Sequence, residues 1–183
     1  MILPIVAYGD PVLKKKAEKI SQDYPGLSEL IDNMYETMYR SRGVGLAAPQ
    51  IGLSIRLFVT DGAPFEEEEV LKFKQVFINP VILEEDGEPW KFNEGCLSIP
   101  SVREDVKRPE RIQIEYYDEK WKKHKRYFQG LAARIIQHEY DHIEGILFTD
   151  RISPLRKRLI KNKLLDISKG IVDVDYKMKF SSK

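Results

Sequence analysis

Gln137-His138-Glu139-Tyr140-Asp141-His142 decides how the rest of this 183-residue chain is read. On a helix its two histidines are four residues apart, a rotation of roughly 400°, so both imidazoles leave nearly the same face one turn apart and can share a metal ion. Glu139 lies about 100° round from His138 and about 60° from His142, within reach of a water on that metal without ligating it. This is the arrangement that metal-assisted hydrolysis needs. The bland reading, two surface histidines around a solvated glutamate, is disfavoured by the flanks. Leu131, Ala132, Ile135, Ile136 and Ile143 fall on the His138 side of the wheel, while Arg134, Gln137, Tyr140, Asp141 and Glu144 are expected on the far, solvent-facing side. Gly130 before the run and Gly145 after it mark its start and stop.

Upstream of this helix, Arg111 to Tyr117 alternates Ile112, Ile114 and Tyr116 with Gln113 and Glu115, the pattern of a half-buried antiparallel strand. Asp118-Glu119-Lys120 reads as the turn into a partner strand, Trp121 to Phe128, on which His124 is expected to be exposed and uninvolved. Val76 to Leu83 reads as a strand bent at Asn79-Pro80, because proline cannot donate to a ladder. Ile55 to Thr60 is another strand, and Asp61 to Glu69 a solvated acidic loop. Leu27, Leu30, Ile31, Met34 and Met38 keep a helical period between Pro25-Gly26 and Ser41-Arg42-Gly43, so the two methionines are core rather than ligands. Leu13 to Ile20 reads as a surface turn or short helix. Downstream, Pro154 suits the first turn of a helix to about Ser168, with Leu155, Leu159, Ile160, Leu164 and Ile167 over half its circumference and Arg156 and Lys163 inside that half. The fold class expected is α+β: antiparallel sheets packed around a central metal-binding helix, with an N-terminal and a C-terminal helix.

Two histidines are not a full site, since a tetrahedral catalytic centre takes three protein ligands and keeps one position for water. No third histidine follows at the distance a metzincin needs, and Glu144 is too near along the helix to serve. The only cysteine, Cys96, is the best remaining soft ligand, although a lone buried cysteine is more often a small hydrophobe. The run Gly43 to Gln50 is made of small residues that allow close approach of a backbone or ligand, with Gln50 its one polar side chain.

At this point three stretches, Gly43-Val44-Gly45-Leu46-Ala47-Ala48-Pro49-Gln50, Glu94-Gly95-Cys96-Leu97-Ser98 and Gln137 to His142, together and in this order resemble the motifs of the peptide deformylase family. The resemblance implies that Cys96, His138 and His142 bind one divalent metal, Fe2+ in the cell with Zn2+, Ni2+ or Co2+ as replacements. It implies that Glu139 is the general base and acid, and that Gln50 and the backbone N–H of Leu97 hold the developing oxyanion. The implied substrate is the N-formylmethionyl nascent peptide, deformylated with release of formate. Substrate contacts are expected from Val44, Gly45, Gly95, Arg103 and Ile135, with Leu131 and Ile135 as candidates for the methionine slot. Arg108 is expected to pair with Glu94 and brace the cysteine loop. Pro49, Gln129-Gly130 and the long loop from Asp61 to Glu69 depart from common family patterns; none is a ligand.

Composition sets the outer limits. One domain is expected over residues 1–183, with 153–183 a basic C-terminal helix and tail. Thirty basic against 29 acidic residues give a net charge of +1 and no global case for DNA or a membrane surface. Nine Lys or Arg against three Asp in 153–183 make that segment +6 and leave −5 on residues 1–152; the resemblance implies that this basic tail makes transient ribosome contact. A single cysteine excludes an internal disulfide and suits a reducing compartment. With no signal-like start and no apolar run of membrane-spanning length, a cytoplasmic location is expected. Two other readings stay open here: an HExxH-type metallopeptidase, whose activity would survive Cys96→Ser, and a non-catalytic structural metal site, in which Glu139→Ala has no activity to lose.

Overall fold

The computed structural model of the protein describes residues 1–181; residues 182 and 183, the end of the basic tail, lie outside the described residues. Its elements are β1 (Ile5–Val6), α1 (Leu27–Arg40), β2 (Gly45–Ala47), β3 (Leu57–Asp61), β4 (Lys74–Asp86), β5 (Trp90–Cys96), β6 (Ile99–Arg108), β7 (Arg111–Tyr117), β8 (Lys123–Gln129), α2 (Gly130–Ile143), α3 (Pro154–Ser168) and β9 (Met178–Lys179). A five-stranded sheet runs β2-β3-β4-β7-β8, antiparallel throughout. β5 and β6 form a separate hairpin, and β1 pairs in parallel with β9. The class is α+β, as the residue patterns predicted.

The large sheet is a partition with a helix on each side. Along β3, Leu57 and Val59 join Ile31, Met34 and Met38 of α1, while Phe58 joins Ala133, Ile136 and Ile143 of α2. Side chains alternate across a strand, and here both faces are covered, so Leu57-Phe58-Val59-Thr60 is a continuous buried run. Met34 and Met38 are fully buried, each worth about 1.5–3 kcal/mol by area removed from water. The bend expected at Asn79-Pro80 is present: Asn79 takes φ +50°, the register with β7 shifts there, and its side chain bonds both the N–H (3.0 Å) and the C=O (2.8 Å) of Ile20.

A third cluster joins Val6 and Leu13 to Ile99, Val102 and Val106 of β6 and to Phe148, Ile160, Leu164 and Ile167. α3 docks here through Ile160, Leu164 and Ile167 of the half expected, but the other two apolar residues of that half stay out: Leu155 and Leu159 are 63% and 62% exposed. Arg156 and Lys163 instead face the body, Arg156 forking onto Glu104 of β6 at 2.9 and 2.7 Å and Lys163 bonding the Ser101 carbonyl at 2.5 Å. The tail after α3 is not simply a basic appendage, because Met178–Lys179 returns to pair with Ile5–Val6.

α2 is buried on nearly every side. Arg134, Gln137 and Asp141, expected at the solvent, are 2–5% exposed, because the β5–β6 hairpin covers the side of the helix turned away from the sheet. Each finds polar partners there (Arg108 Nη1 with Asp141 at 2.8 Å, Gln137 Nε2 with the Pro109 carbonyl at 3.1 Å, Arg134 Nη1 with Glu94 at 2.9 Å), which offsets most of the cost of burying them, although Gln137 Oε1 and Arg134 Nε have no partner among the described residues. Gly145 ends the helix at φ +74°, and a Cβ on it would lie 2.6 Å from the Lys14 carbonyl oxygen, so no other residue fits the stop.

Candidate active site

The two chain segments that meet at the centre do so because of one hairpin. Leu97 and Ser98 form a two-residue turn between β5 and β6, and the register slips there, Gly95 facing Arg103 while Cys96 faces Ile99. A slip of this kind re-aims a side chain. It brings the Cys96 sulfur to 3.4 Å from Nε2 of His142. Ligand atoms of Cys96, His138 and His142 all lie within 4.8 Å of one another, so the three residues singled out from the sequence converge on one point.

The donor set fits a divalent cation. One thiolate and two imidazoles suit iron, zinc, nickel and cobalt, and the second layer orients them. Nδ1 of His138 is bonded to Oε1 of Glu94 at 2.9 Å, which leaves its Nε2 for a ligand. Oε2 of Glu139 is buried with no hydrogen-bond partner among the described residues, the kind of loose end that a water on a bound cation would tie up; Nδ1 of His142, the ring nitrogen turned away from Cys96, is unpartnered there as well. Burial alone would lower the His138 imidazole, but its bonds to Cys96 and Glu94 hold it well above its usual range. Burial and the His138 charge push His142 well below.

Glu94 is the hub beneath. Arg108 reaches it twice, at 2.8 and 3.0 Å, as expected from the sequence; Arg134 adds a third bond at 2.9 Å. Burial would raise the Glu94 carboxyl, yet the bonds from His138 and Arg108 outweigh it and hold it well below the usual carboxylate range. Arg108 also bonds Asp141, which Arg151 grips at 2.5 and 2.7 Å. Arg134, Asp141 and Arg151 were not singled out from the sequence. The one available signal was Asp141 inside the His138–His142 turn.

Glu139 is 4% exposed, and burial pushes its carboxyl up to about 7 with the His138 charge opposing. It leans on Gly45, where a Cβ would sit 2.5 Å from Oε1 and 2.8 Å from Cγ. Gln50 follows β2 in a turn of 3-10 helix, its Oε1 accepting from the Ala47 N–H at 3.0 Å. That bond fixes the amide so that Nε2 points at Cys96 Sγ (3.4 Å) and Ser98 Oγ (3.3 Å).

Above these residues opens a cleft of about 670 Å³. Val44, Gly45, Gln50, Gly95, Cys96, Leu97, Arg103, Ile135, His138 and Glu139 all line it, as do Phe65, Phe92 and Tyr176, which no motif in the sequence marks. Leu131 is not among its lining residues. Arg103 is exposed at the rim and tied to Asn93, Nε to Oδ1 at 2.8 Å and Nη2 to the backbone oxygen at 2.7 Å. His124 is remote from the cleft but only partly exposed: its Nε2 is 2.7 Å from Asp118 and its ring stacks on Tyr116.

Comparison with known proteins gives the same direction. A family model described as polypeptide deformylase matches residues 2–158. A peptide deformylase of Christiangramia forsetii is 62% identical over 98% of this chain and 96% of its own. Among solved structures, a peptide deformylase from Legionella pneumophila superposes with a TM-score of 0.82 at 37% identity over 93% of this chain and 98% of that one. The Thermotoga maritima peptide deformylase gives 0.76 at 41% identity over 84% and 99%.

Proposed function

From the premise that the chain belongs to the polypeptide deformylase family, we propose that it removes the N-formyl group from the formyl-methionine at the start of newly made polypeptides and releases formate. The observation that carries this reading is the meeting of Cys96, His138 and His142 within 4.8 Å at the cleft, with buried Glu139 beside them. The three would hold one divalent cation, Fe2+ in the cell and Zn2+, Ni2+ or Co2+ in its place. When bound, the cation supplies Lewis acidity that makes water a nucleophile at neutral pH.

The chain's own residues do the rest. Glu139 takes a proton from the attacking water and returns it to the leaving amine nitrogen as the C–N bond breaks, giving formate and a free amino terminus. Negative charge develops on the formyl oxygen, and the donors offered to it are Gln50 Nε2 and the Leu97 N–H, each worth about 3–4 kcal/mol where fixed in place. β2 is an edge strand of the large sheet, so its backbone at Gly45, with Val44 just before it, can receive the peptide as an added strand. Ile135 lines the slot for the methionine side chain, Gly95 lets the peptide come close, and Arg103 at the rim attracts its anionic groups. Leu131, outside the cleft lining, drops from this role.

The whole chain works as one catalytic domain in this reading, on nascent chains in the cytoplasm; no helix among the described residues is long and apolar enough to cross a membrane. Exposed Arg158 and Lys161 of α3 are offered to the ribosome. Cutting the chain before α3 would strip Ile160, Leu164 and Ile167 from the core, so Arg158→Glu with Lys161→Glu is the cleaner test of that contact. A peptidase reading finds no separate support, since Cys96 is built into the centre. The deciding experiment is formate release from formyl-Met-Ala by anaerobically purified protein, with Glu139→Ala as control. Loss in the control at unchanged metal content supports the proposal; no formate from fully metal-loaded wild type ends it.

A further inference from the structure

After α3 the chain keeps a two-residue alternation: Val172, Val174, Tyr176, Met178 and Phe180 are partly buried, and Asp173, Asp175, Lys177 and Lys179 exposed. That is the period of a strand with one face on a core. Val172, Met178 and Phe180 pack on the cluster beneath β6, and Met178–Lys179 pairs with β1. The middle of the segment does something else. Val174 and Tyr176 form part of the cleft wall, and Arg42, next to the Gly43 to Gln50 run, forms an ion pair with Asp175. The segment itself, Val172 to Phe180, lies beyond residue 158, where the family match ends.

The Tyr176 hydroxyl donates to the carbonyl oxygen of Leu97 at 2.7 Å. Leu97 and Ser98 are the two turn residues that hold Cys96 in place, and the turn has two other anchors: the Tyr8 N–H to the Ser98 carbonyl at 2.8 Å and Gln50 Nε2 to Ser98 Oγ at 3.3 Å. Both of those act on Ser98; of the three, only Tyr176 holds Leu97. Peptide groups are rigid planes linked at Cα by two soft torsions; the Cys96–Ile99 pair closes the turn on one side and the Tyr176 bond fixes the Leu97–Ser98 plane on the other, so the N–H of Leu97, on the plane between these two restraints, has little freedom to swing.

We infer that Tyr176 is a positioning residue: its hydroxyl pins the Leu97–Ser98 peptide and thereby keeps the Leu97 N–H aimed at the reacting oxygen. The inference rests on the deformylase reading for what that N–H does. It makes the C-terminal segment part of the active site rather than a strap that closes the fold.

Tyr176→Phe removes one oxygen and keeps the ring and its packing, so the fold is retained. In the zinc-loaded protein, the amide resonances of Leu97 and Ser98 are expected to shift while those of Met178 and Lys179 stay in place. On formyl-Met-Ala, kcat is expected to fall about tenfold, a fraction of the loss that follows removal of a whole oxyanion donor, with KM within twofold and zinc per chain unchanged. Unmoved Leu97 and Ser98 resonances would overturn the inference, as would shifted resonances with unchanged kcat, or a loss confined to KM. If the wild type releases no formate, the deformylase reading falls instead, and the amide resonances alone decide whether Tyr176 holds the turn.

Discussion

Oε1 of Glu94 sits 2.9 Å from Nδ1 of His138, and that bond determines which ring nitrogen is left to meet Cys96. The same carboxylate neutralises Arg108 and Arg134, both buried. Glu94→Gln keeps the shape but removes the charge and one acceptor. Cation affinity is expected to fall about 10–100-fold, the usual result of losing an outer partner of a ligating histidine. Unfolding free energy should drop by about 3 kcal/mol, because buried Arg134 loses its carboxylate partner while Arg108 keeps only Asp141. Chelator competition and denaturant unfolding measure the two; unchanged affinity would mean that Glu94 does not orient His138.

Gly45 is explained by Glu139. With a Cβ only 2.5 Å from Oε1 and 2.8 Å from Cγ, an alanine at 45 must push the glutamate out of position. Gly45→Ala should therefore lower kcat at least about 100-fold, the range associated with a misplaced acid–base group, while metal content stays at the wild-type level. Steady-state rates alongside metal analysis test this. A variant with near-normal kcat would show that Glu139 has room to move.

Much of this was legible in the residues. The period of α1 and the alternation of β7 are local signals, and the HExxH spacing puts two imidazoles on one helix face whatever surrounds it. The solvent side assigned to α2 was not legible, because Arg134, Gln137 and Asp141 are polar yet lie under a hairpin made by a different part of the chain; only the tertiary contact reveals their partners Glu94, Pro109 and Arg108. Arg156 and Lys163 are the mirror case, two charges inside an apolar half of α3 that turn out to be what it docks with. The strand period of Val172 to Phe180 is present in the residues, but Asp173, Asp175, Lys177 and Lys179 on its outer face give it the composition of a solvated tail.

Gln50 carries two duties that one substitution separates from the metal. Its Oε1 satisfies the buried Ala47 N–H and its Nε2 points beside Cys96. Gln50→Ala is expected to cost about 100–1,000-fold in kcat as an oxyanion donor is lost, together with about 1–3 kcal/mol of stability for the unpaired N–H. Stopped formate assays and thermal unfolding follow each separately. Loss of stability with full activity would remove Gln50 from the chemistry.

Glu139 acts as a base only when ionised, and burial raises its carboxyl to about 7. A dication nearby favours the carboxylate and pulls that value back toward the ordinary 4.5. The acid limb of kcat/KM in the metal-loaded enzyme should therefore fall between these limits, with activity lost as pH drops through it. A pH–rate profile with no acid limb between the two would point to a different base.

The same shift predicts that the base weakens the fold it sits in. A carboxyl raised by burial holds its proton in the folded state over a range where the unfolded chain has already released it, so its contribution to stability is greatest below 4.5 and is lost as pH rises toward about 7. At pH 8 the folded chain carries the full cost of a buried, poorly partnered charge, about 3 kcal/mol for a shift of this size. Glu139→Gln removes the charge and keeps the shape. In chelator-treated protein, the variant should be more stable than wild type at pH 8 and equal to it at pH 4, although it is expected to release no formate once metal is restored. Denaturant titrations at the two pH values decide it: a variant no more stable at pH 8 would mean that Glu139 is stabilised by partners other than the cation.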